Sequence, residues 1–183
     1  MKNSLKKCDK CFAYYSKFHS CDGLMKMLVT FYKNKNKKYM NKNTQQILKA
    51  LSYYGEDGIT GEKSNPVILN FYKEARNGYV SNDDVPWCAA FVNAVLHECG
   101  LPQSGKLNAR SLLEIGQETN DPVMGDVVVL WRGSKEGVFG HCGFFIREEG
   151  DSIFILGGNQ DNSVKIKAFS KLNLLGYRTL ILE

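Results

Sequence analysis

No apolar run in these 183 residues is long enough to cross a bilayer. The longest runs, such as VVVLW at 127–131, fall far short of the ~20 residues a spanning helix needs. No secretory leader is expected either. The apolar stretch from Gly23 to Tyr32 contains Lys26, lies late and has no small-residue cleavage site. The expectation is a protein made in the cytoplasm, which something else must carry or release if it acts outside. Histidine is scarce: there are three, so imidazole chemistry has few places to sit. The six cysteines lack the spacing of a secreted disulfide framework. Cys8, Cys11 and Cys21 cluster near the start. Cys88, Cys99 and Cys142 are scattered through apolar segments, where a buried free thiol is the ordinary outcome. No internal repeat is present.

The formal charge of +5 is unevenly placed. Residues 1–46 carry 11 Lys or Arg against 2 acids, a balance of +9, while residues 47–183 carry 13 against 17, a balance of −4. The main part is therefore mildly acidic, which argues against an enzyme with a basic face for nucleic acid. A chain of this size buries about 70% of its unfolded surface, enough for a core without staples.

Two regions follow. Residues 1–45 read as a basic Cys/Lys-rich arm or small subdomain, with KNKNKKYMNKN at 33–43 as a solvated linker. Residues 46–183 read as the main domain. Helix signals come first. Thr44 caps a helix through Tyr54, and Asn65 followed by Pro66 caps one running to Ala75. A longer helix spans Trp87 to Cys99, and a short one runs from Asn108 to Ile115. Strand-like runs follow at 126–131, 141–147, 152–157, 163–169 and 174–182. Helices followed by neighbouring strands imply an α+β fold with an antiparallel sheet.

The helix at 87–99 carries the chemistry. Cys88, Phe91, Val92, Val95 and Cys99 form an apolar stripe expected to face the sheet. Cys88 lies in the first turn, where free N–H groups and the positive dipole end favour thiolate. Cys99 lies at the opposite end, where thiolate is disfavoured. A thiolate nucleophile needs an imidazole partner. His19 is in the arm, and His97 is nine residues along the same helix and cannot fold back. That leaves His141, at the start of a strand after Gly140. Alternation puts His141, Gly143 and Phe145 on one face and turns Cys142 the other way, into the core. A third polar group must orient the base. Asn159, in the LGGNQ turn, is the first candidate. Gln160 is its neighbour, for the same role or for substrate or oxyanion contact. Trp87 and Trp131 are candidate groove residues, with core packing the alternative. Asp126 reads as structural.

PWCAAFVNAVL, GDVVVLW, GHCGFFI and LGGNQ occur in this order, with SNPVILNFY upstream and LLGYR at the end. Together they resemble the CHAP and NlpC groups of papain-like cell-wall hydrolases, most nearly a phage and bacterial subgroup with a PWC…GH.GF…GGNQ pattern. The resemblance covers roughly residues 46–183. It implies a papain-like fold, peptidoglycan as substrate, Cys88 as nucleophile, His141 as general base, Asn159 as third residue and no catalytic cofactor. Many CHAP members support the histidine with an acid. Here Gly157, Gly158 and Asn159 occupy that stretch, so the third role is the one the pattern leaves open. It also implies action on the wall after holin-type release, virion delivery or injection. The other functions compatible with these residues are a papain-like deamidase or transglutaminase acting on protein, and a non-catalytic wall-binding module.

The arm adds C-x2-C-x7-H-x-C from Cys8, Cys11, His19 and Cys21, four soft ligands for a structural zinc. Its positive charge suits anionic wall polymers.

Overall fold

The computed structural model describes residues 6–7, 14–15, 42–59, 63–76 and 78–180. The chain divides into two units, residues 1–41 and 42–183. In the first, two short strands, β1 (Lys6–Lys7) and β2 (Tyr14–Tyr15), pair antiparallel. The expected zinc ligands Cys8, Cys11, His19 and Cys21 lie outside the described residues.

The second unit opens with helix α1 (Lys42–Ser52), so the last two residues of the Lys/Asn tract are already helical. Helix α2 (Pro66–Glu74) starts as the sequence dictates. The Asn65 side chain accepts from the Val67 N–H at 2.8 Å, and Pro66 fills the first position, where no N–H is needed. Asp83 braces the same junction. Its buried carboxylate accepts from the Ile59 and Asn65 amides at 2.9 and 3.0 Å.

Helix α3 (Cys88–Glu98) departs from the single-stripe expectation. Every residue from Cys88 to Leu96 is buried. Ala89, Ala90 and Ala94 are small enough for α1 and α2 to pack on the sides away from the sheet. A helix that is apolar all round is a core helix. Its one buried polar side chain is Asn93. Asn93 Oδ1 accepts from the Ser104 amide at 2.9 Å, and Nδ2 donates to the Lys106 carbonyl at 3.0 Å. These bonds fasten the loop that leads into a 3₁₀ turn at Ala109–Glu114, capped by Asn108 through the Arg110 amide.

Six strands follow: β3 (Gln117–Thr119), β4 (Val127–Trp131), β5 (Gly140–Glu149), β6 (Ser152–Gly157), β7 (Lys165–Ser170) and β8 (Leu174–Thr179). They form one sheet in the order β3-β8-β4-β5-β6-β7, with every pair antiparallel. The fold is α+β, with helices preceding an antiparallel sheet. β3 has no apolar alternation and was not legible in the sequence; its two first residues are exposed. One sheet face packs Val127, Val129, Cys142, Phe144 and Leu156 against the helices. The other gathers Val128, Leu130, Phe145, Ile153, Ile155 and Tyr177 in a second cluster. With both faces covered, VVVLW reads as a continuous apolar run rather than an alternating one.

Candidate active site

Cys88 is the first residue of α3, after Trp87 at the cap. The first hydrogen bond of the helix runs from the Phe91 amide to the Trp87 carbonyl, so the amides of the first turn are free to point at the Cys88 side chain. His141 stands second in β5, opposite Leu130 of β4. Cys88 and His141 are 7% and 8% exposed, and their side chains meet.

Cys142 completes the contact. Alternation does turn it into the core, but the core at that point is the Cys88 end of α3. The Cys142 S–H donates to the Cys88 sulfur. The two thiols then shift in opposite directions. The Cys142 hydrogen bond, the His141 imidazole and the Ala89 amide hold the Cys88 thiol well below the usual range, against the opposing cost of burial. Burial first, and then the neighbouring Cys88, push Cys142 well above it. Adjacent groups with oppositely shifted affinities suit different tasks: Cys88 is the thiol more readily ionised, and Cys142 the one that keeps its proton and donates it as a hydrogen bond. Cys99, at the other end of α3, is raised by burial, opposed by Lys49.

The group on the imidazole is Gln160, not Asn159. His141 Nε2 and Gln160 Oε1 are 3.1 Å apart. The Gln160 amide nitrogen donates to the Ile155 carbonyl at 3.2 Å and also to the Lys165 carbonyl. Only the nitrogen end of an amide donates to carbonyls, so the oxygen end must face the ring. Gln160 Oε1 is then an acceptor, and His141 Nε2 must carry hydrogen. The neutral tautomer therefore leaves Nδ1 to take a proton. Phe169 packs beside the ring, with centroids 5.0 Å apart.

The turn explains why the two neighbours differ. Asn159, Asp161 and Asn162 are all left-handed, with φ of 55°, 52° and 61°, a conformation Asn and Asp tolerate best after Gly. Gly58 and Asn162 tie the turn down reciprocally: the Gly58 amide donates to the Asn162 carbonyl, and Asn162 Nδ2 to the Gly58 carbonyl, both at 2.8 Å. The Gln160 amide donates to the Ser163 carbonyl at 3.0 Å. So held, the chain drives Gln160 inward, 2% exposed, while Asn159 serves the turn.

The tryptophans separate as well. Trp87 is fully buried beside Phe71, with centroids 6.2 Å apart, and presents no surface to a groove. A Cβ on Gly158 would sit 2.6 Å from its Cζ3, so only glycine fits there. Trp131 is half-buried and donates from Nε1 to the Leu172 carbonyl at 3.1 Å. Asp126 accepts from the Val123 amide at 2.8 Å and is structural. Among the described residues, no group of three or more His, Cys, Asp or Glu could hold a metal ion, and no helix is long and apolar enough to cross a membrane.

No family model matches the chain. No curated protein matches it either. Among solved structures it is similar to a Staphylococcus aureus subsp. aureus Mu50 protein described as similar to lipoprotein, NLP/P60 family. The identity is 15%, the match covers 94% of this chain and 53% of that one, and the TM-score is 0.44. The chain thus spans about half the length of that protein.

Proposed function

We propose that the unit at residues 42–183 is a cysteine amide hydrolase that cleaves the peptide part of peptidoglycan through an acyl-enzyme. One observation carries the chemistry: a depressed thiol at the start of a buried helix meets an imidazole whose tautomer a buried glutamine sets. The substrate class rests on the PWC…GHCGF…GGNQ resemblance, which also implies a papain-like fold.

The reaction follows from the residues. Cys88 thiolate attacks the amide carbonyl, and the developing oxyanion takes hydrogen bonds from free first-turn amides of α3. Imidazolium His141 gives its proton to the leaving amine. Neutral His141 then removes a proton from water, which hydrolyses the thioester. Throughout, Gln160 accepts from Nε2, so one ring nitrogen handles every proton. No step needs a cofactor.

The test compares the protein with Cys88→Ala on purified peptidoglycan, assaying new amines and new reducing sugars. Amines without reducing sugars, lost in Cys88→Ala, are expected. No Cys88-dependent amine release from any wall type tested would refute the reading, and amide transfer to a protein acceptor would move the chain to a deamidase or transglutaminase.

Residues 1–41 are assigned to delivery. Their positive charge suits anionic wall polymers, with action on the wall following release, virion delivery or injection. Deleting them should weaken wall retention at low salt, where screening is least, and leave turnover of soluble wall fragments within about twofold, because Cys88, His141 and Gln160 all lie in residues 42–183.

A further inference from the structure

The loop between β4 and β5, residues 132–139, is exposed at nearly every position. Its backbone is nonetheless held mainly by one side chain from the 3₁₀ turn, with Asn108 Nδ2 adding a longer bond to the Val138 carbonyl at 3.5 Å. Arg110 Nε donates to the Phe139 carbonyl at 3.1 Å. Its two terminal nitrogens donate to the Lys135 and Ser134 carbonyls, at 2.8 and 3.0 Å. These carbonyls belong to exposed residues that water could serve, so satisfying them is not the purpose. What the guanidinium achieves is order: its planar fork spreads donors over three nitrogens and spans three separated carbonyls, where an ammonium offers its donors from a single point.

The ordered loop leads straight into the site. A Cβ on Gly140 would lie 2.7 Å from the Leu130 carbonyl and 3.4 Å from Arg110 Cγ, so Arg110 also packs against the residue before His141. Two apolar side chains remain outside, Val138 at 67% and Phe139 at 66% exposed. Phe139 is two residues from His141, about 7 Å along extended chain. A braced backbone thus displays two apolar side chains two and three residues before His141.

We propose that Arg110 is a positioning residue that sets residues 132–139 as a lip beside Cys88, and that Val138 and Phe139 on this lip take the apolar side chain of the substrate residue flanking the scissile amide. This rests on Cys88 being the nucleophile.

Alkylation of the full-length protein tests both without a wall substrate. The probes are iodoacetamide and N-benzyl iodoacetamide, which share an electrophile and differ in an apolar ring. Labelling at Cys88 and Cys99 is followed by peptide mass. The benzyl reagent should label Cys88 about five- to tenfold faster, the factor expected from burying roughly 50 Å² of apolar surface. Phe139→Ser should bring this ratio below about twofold. Arg110→Ala should do the same and speed tryptic cleavage after Lys135, with Arg110→Lys restoring part of the ratio. A merely structural role would lower both rates together and leave the ratio intact, which would overturn the lip. So would a ratio near one in the unaltered protein at a fast-reacting Cys88. Phe139→Ser, at an exposed site, carries the test even if Arg110→Ala does not fold. A Cys88 no faster than Cys99 would overturn the nucleophile reading, and the lip with it.

Discussion

Replacing Gln160 with leucine separates its structural work from the orienting role proposed for it. Leucine keeps most of the volume and removes every side-chain hydrogen bond, leaving the backbone pair with Ser163 in place. Gln160 is 2% exposed, so water cannot stand in. Its amide nitrogen donates to the Ile155 and Lys165 carbonyls, and its oxygen accepts from His141. Losing a donor to a buried carbonyl costs about 1–3 kcal/mol, so two such losses should destabilise the domain by about 2–6 kcal/mol. That is below most of the typical stability range of about 5–15 kcal/mol, so the variant should still fold. A urea titration should show it as a midpoint lower by about 1–3 M, for slopes near 2 kcal/mol/M. Activity should fall further than stability predicts. Without its acceptor His141 is free to rotate and to carry its proton on either nitrogen, and a mispositioned acid–base group forfeits about 10²–10⁴ in rate. The assay is amine release at a urea-free concentration where the variant is fully folded. A Gln160→Leu protein that loses the stability but keeps turnover within about threefold would refute the orienting role. Asn159→Gly is the control. At φ 55° glycine is at least as comfortable as asparagine, so turnover and midpoint should stay near the parent values. A hundredfold loss there would return the third role to Asn159.

Cys142→Ala should raise the pH midpoint for alkylation of Cys88. The Cys142 hydrogen bond is the largest cause of the depressed thiol, so the parent should react well below the ordinary thiol midpoint of about 8.5 and lose reactivity as pH falls through its lowered value. An unchanged or lower midpoint in the variant would refute this. Gly158→Ala places a methyl 2.6 Å from Trp87 Cζ3 and 2.7 Å from Phe91 Cβ. Overpacking should cost about 1–3 kcal/mol, and a melting temperature within about 2 °C of the parent would contradict it. Asp83→Ala removes a buried carboxylate from two amides and should cost about 2–4 kcal/mol in denaturant titrations. A loss below about 0.5 kcal/mol would show that water replaces it.

Much of the architecture is written in local chemistry. Asn65 with Pro66, and Asn108 before the 3₁₀ turn, start their elements as capping predicts, because a cap involves only residues two or three apart. All five expected strands appear, 152–157 with the expected ends and the other four with shifted ones, since apolar and β-branched runs mark a strand but not where its ladder stops. β3 escaped because an exposed Gln-Glu-Thr segment earns its pairing from β8 alone. The all-round burial of α3 escaped because alanine is compatible with either a surface or a core.

The chain by itself determined the α+β order, the placement of Cys88 at a helix start and of His141 at a strand start, and the separation of a basic arm from an acidic domain. Those depend on neighbours along the sequence. Only the tertiary structure decided between Asn159 and Gln160, brought the Cys142 thiol to Cys88, buried Trp87, and set Arg110 across the loop before His141. Each of those depends on groups brought together from distant parts of the chain, or on which of two adjacent residues a tied-down turn points inward. Periodicity says which way a residue faces; it does not say what it will face.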